Sequence, residues 1–372
     1  MNEVDTPTPA AQVTKTGIPV RNLWHMLLYV WDAIHLKDQW KSDVENAPTL
    51  DALLGTILAN QIQQRLRIGL GRNYRTHAAE IAGVRGRVDF NQSLKRMSFQ
   101  HGRAFCEFQI FSADVPKNQI IRSTMARLVQ IGDFGSKGHH AKELRSRLRR
   151  LVRDMESVEI IELKAASIRR EQLNRHDVDY AVMLAICFML KQRQMPMEQA
   201  GDTGLVGLDR DAFTLHNIYE TFVAKFYDRH LHDWNVSSQQ KLVWPTENSS
   251  DYLPIMRPDL TLQHDASGHL IVLDTKFTAK ILVTGRWGNQ TFNRDHLFQI
   301  YAYLKSQEHR SESHKSSTGI LLYPTANHDL SEAIRIQGHS VRWETVDLAK
   351  PWQQIEEELL ALPAGIVLQL DQ

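Results

Sequence analysis

Two aspartates and a lysine lie at the ends of short apolar segments in the stretch RPDLTLQHDASGHLIVLDTKF, residues 257–277. Asp259 opens the first apolar run, and Asp274 and Lys276 follow the second. A buried charge is costly unless it is paired or holds a metal. The three residues therefore indicate either a structural ion pair or an active site that combines a divalent cation with a lysine.

The spacing of these residues predicts that one hairpin brings them together. Side chains two residues apart on a strand point to the same face, so Asp274 and Lys276 share a face and Thr275 points away from it. We predict strands at 258–262 and 270–277, joined through QHDASGH, which is rich in turn residues. When these strands pair, Asp259 comes close enough to Asp274 to share a cation.

A pair of carboxylates in this position suits a hard divalent cation. Two adjacent carboxylates repel each other, and one of them takes up a proton unless a cation neutralises the pair. Oxygen ligands favour Mg²⁺, with Mn²⁺ as a substitute, and Mg²⁺ keeps several waters and binds substrate phosphate. The metal lowers the pKa of water, while Lys276 orients the attacking water or neutralises charge on the phosphoryl group. This is the chemistry of phosphodiester hydrolysis, with Asp259 and Asp274 as the predicted metal ligands.

The composition is that of an ordinary globular chain: 372 residues, 42% hydrophobic, 23% charged and a net charge of +1. The length predicts two domains, and the balanced charge gives no global argument for nucleic-acid binding. The two cysteines, Cys106 and Cys187, exclude a disulfide framework and a four-thiolate metal site, and they indicate a reducing cytoplasm. The longest apolar run, residues 180–190, is shorter than the ~20 residues of a membrane-spanning helix, so we predict no membrane association.

Periodicity divides the chain into three parts. Residues 1–16 are polar and rich in Thr and Pro, and we predict a disordered tail with no signal peptide. For residues 17–165 we predict an α+β domain with a small sheet or barrel within 74–111, where strand-like alternation surrounds glycines. For residues 166–372 we predict an α/β domain with a central mixed sheet flanked by helices.

A basic amphipathic helix is predicted near the end of the first domain, at AKELRSRLRRLVRDM, residues 141–155. Apolar residues form one stripe at helical spacing, and lysine and arginine side chains, including Arg145 and Arg149, cover the remaining surface. This surface either contacts DNA phosphates or an acidic partner, or it is a solvated face that stabilises its own helix.

The pattern P-D, a gap, then D-x-K resembles the signature of the PD-(D/E)XK nuclease superfamily. Pro258, Asp259, Asp274 and Lys276 stand at the matching positions. The resemblance implies a restriction-endonuclease-like fold for the C-terminal domain. It also assigns the two aspartates and the lysine to catalysis.

Two further segments carry this resemblance. The helix NIYETFVAKFY places Glu220 where many superfamily members have an additional acid facing the metal. The segment QIYAY, with Gln299 and Tyr303, is similar to the Q-x-x-x-Y helix of the RecB-like branch, and residues four apart lie on one helix face. From the residues alone, Glu220 is equally a solvent-exposed helix acid, and Gln299 and Tyr303 can cap a core.

Nearly the whole chain resembles the McrC family. The similar segments, in chain order, are IPVRNLWHMLLYVWD, GVRGRVDF, NQIIRSTMARL, IVLDTKF, QIYAYL and GILLYP. McrC is the nuclease subunit of the McrBC modification-dependent restriction system. The resemblance therefore implies that the C-terminal domain cleaves both strands of methylated DNA together with a second copy of the chain. It also implies a partner, McrB, a hexameric AAA+ GTPase that reads the methylcytosine and is stimulated by the inserted N-terminal domain.

The sequence agrees with this division of labour. It contains no G-x-x-x-x-G-K-[ST] segment, so we predict that GTP is bound by the partner and not by this chain. In GVRGRVDF, Arg85 and Arg87 project to one side of a strand and contact the partner or DNA, or they are solvent-facing arginines at a turn. Two other functions stay open: a stand-alone RecB-like repair or recombination nuclease, and a non-catalytic AAA+ adaptor with a relic nuclease fold.

Overall fold

The computed structural model describes residues 17–135, 138–171, 173, 178–193, 210–248, 250–278, 281–284, 288–325 and 329–370. The chain divides into two compact units. The first unit comprises Met1–Ala47 and Met197–Gln372, and the second unit comprises Pro48–Pro196. None of the helices within the described ranges has the length and apolar character needed to cross a membrane.

Local capping interactions fix where several helices begin. Thr49 precedes the third helix and accepts a hydrogen bond from the Ala52 amide at 3.1 Å, while Asn293 caps the tenth helix through the amide of Asp295 at 3.0 Å. The helices are α1 (Val20–Val30), α2 (Lys41–Asn46), α3 (Leu50–Ile68), α4 (Phe90–Lys95), α5 (Pro116–Ile131), α6 (His139–Asp154), α7 (Ala165–Arg170), α8 (Val178–Arg193), α9 (Arg210–His230), α10 (Arg294–Ser306), α11 (Glu312–Lys315) and α12 (Trp352–Leu370).

The strands form separate sheets in the two units. Their bounds are β1 (Asn73–Ala82), β2 (Arg87–Val88), β3 (Arg103–Ser112), β4 (Trp234–Ser238), β5 (Leu260–His264), β6 (Leu270–Thr275), β7 (Leu282–Thr284), β8 (Gln290–Phe292), β9 (Thr318–Thr325), β10 (Ser331–Ile336) and β11 (His339–Asp347).

A six-stranded mixed sheet forms the core of the first unit, in the order β10-β11-β9-β6-β5-β4. Strands β6, β9 and β11 are parallel neighbours, and the remaining neighbours pair antiparallel. Every residue of β6, LIVLDT, is buried, as expected for an apolar strand in the middle of a covered sheet. Helices α9, α10 and α12 pack on strands of this sheet. The predicted α/β class with a central mixed sheet flanked by helices is confirmed.

The second unit combines helices with a small antiparallel sheet in the order β1-β3-β2. Its main ladder pairs β1 with β3 along ten residues, from Asn73 opposite Ser112 to Ala82 opposite Arg103. The small sheet predicted within 74–111 is therefore present, as three strands. The predicted basic helix is α6, which buries Leu144, Leu148 and Leu151.

The two compact units do not coincide with the predicted division at residue 165. In α1, the side-chain amide of Asn22 donates to the carbonyls of Leu348 and Lys350, each at 2.8 Å, so the first helix packs with the C-terminal part of the chain. Helix α8, which the prediction placed in the C-terminal domain, lies in the second unit, where the Tyr180 hydroxyl donates to Asn118 at 2.8 Å. The sequence does not reveal the first of these contacts because it joins residues separated by 326 positions.

Gly319 in β9 permits the close approach of α10 to the sheet. A Cβ added at this position would lie 2.8 Å from Ile300 Cγ1 and 2.9 Å from Leu304 Cδ1. We therefore expect Gly319→Val to lower the free energy of unfolding by about 1–3 kcal/mol, because overpacking forces the neighbouring side chains or α10 to move. Chemical denaturation measures this change.

A second glycine provides the control for that measurement. A Cβ added at Gly365 in α12 meets nothing within 4 Å, so Gly365→Ala should raise the stability by about 0.5–1 kcal/mol through helix propensity alone. Equal stability of Gly319→Val and the unaltered chain would contradict the close contact of α10 with β9.

His25 in α1 makes the stability of the first unit depend on pH. Its ring stacks on Trp352, with ring centroids 4.8 Å apart and planes at 17°, and burial lowers its pKa from 6.5 to about 4. The unfolded chain therefore binds a proton that the folded chain excludes as the pH falls from 6.5 towards 4. The contribution of neutral His25 to the free energy of unfolding is fully present above pH 6.5. Below that pH the free energy of unfolding falls by up to about 1.4 kcal/mol per pH unit.

We expect His25→Phe to reduce the slope of unfolding free energy against pH by up to about 1.4 kcal/mol per pH unit between pH 6.5 and 4. Other titrating groups add to the slope in both proteins, so the difference between the two curves isolates His25. The exposed His35 gives a matched control, since His35→Phe should leave the slope unchanged. Parallel curves for His25→Phe and the unaltered chain would contradict the expectation.

Candidate active site

The β5–β6 hairpin brings Asp259 and Asp274 to the same end of the central sheet. The last ladder pair is Leu260 opposite Leu273, so the next pair outward is Asp259 opposite Asp274. The predicted hairpin is present, and its first strand begins at Leu260, two residues later than predicted. Asp259 therefore lies just before β5, while Asp274 lies within the buried strand β6.

Asp274 is a buried carboxylate with a lysine beside it. Only 3% of the residue is exposed, and its Oδ2 forms an ion pair with Lys276 Nζ. Burial raises the pKa of Asp274 to about 6; the Lys276 charge opposes this rise and the Asp259 charge adds to it. Burial, helped by the Asp259 charge, therefore outweighs the influence of Lys276, and a bound cation would favour the ionised form of Asp274.

Helix α10 holds Lys276 through the two residues that the sequence had indicated. Lys276 Nζ donates to Gln299 Oε1 at 2.7 Å, and Gln299 Nε2 donates to the Tyr303 hydroxyl at 2.8 Å. Tyr303 in turn donates to the carbonyl of Arg257 at 3.3 Å. The i, i+4 spacing thus forms a chain of hydrogen bonds that starts next to the hairpin and fixes the direction of the lysine.

Thr275, whose side chain was predicted to point away from the site, holds Asp259 in place. Asp259 Oδ2 accepts hydrogen bonds from the Thr275 amide at 2.7 Å and the Thr275 hydroxyl at 2.6 Å. Alternation along the strand predicted that Thr275 points away from the site, and this was wrong with respect to its hydroxyl. The reason is that Asp259 lies outside the β5 ladder, so its carboxylate reaches the end of β6 instead of following the strand alternation.

Glu220 in α9 lies beside Asp259, linked to it by Gln239. Gln239 Nε2 donates to Glu220 Oε1 at 2.6 Å and to Asp259 Oδ1 at 3.1 Å. Burial raises the pKa of Glu220 to about 7, and the Asp259 charge adds to the rise. His216, one helical turn earlier, places Nε2 3.9 Å from Glu220 Oε2. Sequence reasoning missed Gln239 because glutamine after a short strand gives no signal that it faces two acids.

The four predicted contact arginines all lie in the second unit. Arg85 is exposed, and its guanidinium lies 4.6 Å from the centroid of the Phe108 ring. Arg87 and Arg149 are exposed. Arg145 instead donates to the carbonyls of Val129 at 2.5 Å and Gly132 at 3.0 Å, so its guanidinium ties α6 to the end of α5. Contact of these residues with DNA or a partner stays a prediction.

The sequence predicts Asp259 and Asp274 as the ligands of a metal ion, and the hairpin register puts the two residues opposite each other. Within the described ranges, no three or more His, Cys, Asp and Glu side chains are grouped as ligands of one ion. Two carboxylate ligands with the remaining positions filled by water and substrate oxygens suit Mg²⁺, which dehydrates reluctantly, better than Zn²⁺, which prefers nitrogen and sulfur ligands. The raised pKa of Asp274 and the charge of Asp259 fit a site that gains from a cation.

Comparison with known families identifies the chain. Residues 8–324 match the model of the family described as "McrBC 5-methylcytosine restriction system component". The chain belongs to this family. The resemblance to McrC inferred from the sequence is confirmed, and members of the McrBC family are components of a restriction system.

Individual relatives agree with the McrBC assignment. The "type IV methyl-directed restriction enzyme EcoKMcrBC" of Escherichia coli (strain K12) is 26% identical over 349 residues, which are 92% of this chain and 96% of that protein. Among solved structures, a chain of the "half-complex from tetradecameric assembly of Thermococcus gammatolerans McrB AAA+ hexamers with bound McrC" has a TM-score of 0.57 and 14% identity, covering 94% of this chain and 76% of that chain. This structural likeness supports the fold.

Proposed function

We propose that this chain is the Mg²⁺-dependent endonuclease subunit of an McrBC-type restriction system. It cleaves DNA when assembled with a hexameric AAA+ partner that binds GTP and reads the methylated base. The observation that carries the proposal is the meeting of Asp259, Asp274 and Lys276 at the end of one hairpin, with the lysine hydrogen-bonded to Gln299 at 2.7 Å. The predicted cytoplasmic location rests on the two widely separated cysteines, Cys106 and Cys187.

The residues divide the chemistry among them. Asp259 and Asp274 hold the cation, which when bound supplies charge neutralisation to the scissile phosphate and activates water for attack. Lys276 presents its positive charge beside Asp274, where it stabilises the charge that develops on the phosphoryl oxygens. Gln299 and Tyr303 keep the ammonium in this direction, since a charge that is oriented beforehand costs no reorganisation during the reaction.

In this proposal the second unit binds the partner, at α4 and the turn that follows it. Four large apolar side chains are exposed around α4 and the turn after it: Phe90 at 65%, Leu94 at 65%, Met97 at 61% and Phe99 at 44%. The rings of Phe90 and Phe99 lie 6.1 Å apart, and we call the exposed segment from Phe90 to Phe99 the apolar tip. An exposed apolar patch of this kind marks a protein–protein contact, and Arg85 and Arg87 supply positive charge nearby in the sequence.

The apolar tip, Phe90 to Phe99, gives a direct test of the partner contact. We expect Phe90→Ser with Leu94→Ser to weaken binding of the AAA+ partner by at least about 30-fold, because loss of buried apolar anchors costs about 2 kcal/mol or more. Stimulation of the partner's GTP hydrolysis should fall with it, while Mn²⁺ binding by the isolated chain persists. Ile334, a 45% exposed residue of β10, gives the control, and partner binding equal to that of Ile334→Ser would contradict the contact.

Calorimetric titration of the isolated chain with Mn²⁺ tests the proposed chemistry. The proposal expects binding that is lost in Asp259→Asn and in Asp274→Asn. No binding by the unaltered chain would favour the non-catalytic adaptor. DNA cleavage by the chain and metal alone, with no dependence on a GTP-hydrolysing partner, would favour the stand-alone RecB-like nuclease.

A further inference from the structure

We propose that Gln239 is a positioning residue of the candidate site, whose side-chain amide ties Glu220 to Asp259 and so fixes the orientation of a metal-binding carboxylate. The inference rests on the proposed function. Gln239 follows β4 at the edge of the sheet, and neither the sequence pattern nor the family resemblance had singled it out.

Gln239 donates two hydrogen bonds to Asp259, one from its backbone and one from its side chain. The Gln239 amide N–H of the backbone donates to the Asp259 carbonyl at 3.0 Å, and the side-chain Nε2 donates to Asp259 Oδ1 at 3.1 Å. The second N–H of the same Nε2 is directed to Glu220 Oε1 at 2.6 Å. A carboxamide nitrogen carries two N–H donors, so one side chain can hold both acids at once.

The Asp259 carboxylate is nearly saturated by these bonds. A carboxylate has about four lone-pair directions, two on each oxygen. Oδ2 uses two of them for the amide and hydroxyl of Thr275, and Oδ1 uses one for Gln239. One direction on Oδ1 is left for a cation. Hydrogen bonds that orient a metal ligand in this way typically contribute 10–100-fold to metal affinity.

The backbone of Gln239 supports a specific use of its side chain. Its φ is +51°, a left-handed conformation that costs a non-glycine residue roughly 1–2 kcal/mol. Glycine would adopt this turn without strain. The backbone of Gln239 is therefore strained in this turn. The two hydrogen bonds from its side chain to Glu220 and Asp259 offset that strain.

Mn²⁺ titration of four proteins separates the side-chain role from the turn. The proteins are the unaltered chain, Gln239→Gly, Gln239→Asn and Gln240→Gly. Gln239→Gly removes the amide and keeps the turn, and Gln239→Asn tolerates the left-handed backbone with a shorter amide, so both should fold. We expect each to bind Mn²⁺ about 10-fold more weakly than the unaltered chain, with a melting temperature no lower than that of the unaltered chain, and Gln240→Gly to bind as the unaltered chain does.

Coupling to Glu220 distinguishes positioning from a general structural effect. In a Glu220→Ala background, Gln239→Gly should cost clearly less than the 10-fold seen alone, because the tie between the two acids is already gone. Two results would overturn the inference and leave the proposed function intact. The first is an equal Mn²⁺ affinity of Gln239→Gly and the unaltered chain. The second is an equal loss of Mn²⁺ affinity on Gln239→Gly in the unaltered chain and in the Glu220→Ala background. Failure of the unaltered chain to bind Mn²⁺ would overturn the proposed function and the inference with it.

Discussion

Asp274→Asn should abolish DNA cleavage, lowering the rate by about 10³-fold, equivalent to about 4 kcal/mol of transition-state stabilisation. Asparagine has nearly the shape of aspartate, so the buried strand β6 keeps its packing. The substitution removes the charge that pairs with Lys276 and that we propose binds a cation. The substitution should not unfold the chain. Burial already raises the pKa of Asp274 to about 6, so a neutral side chain is tolerated there more readily than at an exposed ion pair.

The measurement follows cleavage of methylated DNA and GTP hydrolysis in the same assembled complex. Asp265, an exposed residue in the turn of the same hairpin, provides the matched control, and Asp265→Asn should cleave at the unaltered rate. Both variants should stimulate the partner's GTP hydrolysis fully. Loss of this stimulation in Asp274→Asn would show instead that the residue serves the fold, and undiminished cleavage would remove it from the active site.

Lys276→Met should lower cleavage by about 10²-fold, while Mn²⁺ binding persists because both carboxylates remain. Methionine keeps the apolar part of the lysine side chain and removes its charge and its hydrogen bond to Gln299.

Comparison of cleavage rate with metal affinity separates the role of Lys276 from that of the aspartates. The exposed Lys241 gives the control, and Lys241→Met should change neither quantity. A Lys276→Met protein that cleaves at the unaltered rate would exclude the lysine from transition-state stabilisation. One that loses Mn²⁺ binding as well would indicate that Lys276 serves to hold the aspartates in place.

The parts of this site that the sequence predicted are those set by local periodicity. Alternation in a short apolar strand put Asp274 and Lys276 on one face, turn residues predicted the hairpin that brings Asp259 beside them, and four-residue spacing aligned Gln299 with Tyr303. Each of these depends on neighbours within one or two elements, so the pattern carries the information.

The parts that the sequence did not predict depend on irregular backbone or on distant contacts. Thr275 and Gln239 bind Asp259 at the point where the ladder ends, and Gln239 does so from a left-handed conformation. Strand alternation gives the wrong direction for the Thr275 hydroxyl and no prediction for Gln239. Helix α1 packs with the C-terminal part of the chain, where Asn22 donates to the Leu348 carbonyl across 326 positions. No periodicity extends over that distance.

Anomalous scattering from crystals soaked in Mn²⁺ tests the central claim most directly. The expected result is a peak between the carboxylates of Asp259 and Asp274, present in the unaltered chain and absent in crystals of Asp274→Asn. A peak at other residues, or none at the hairpin end under conditions in which the assembled complex cleaves DNA, would contradict a metal site built from these two aspartates.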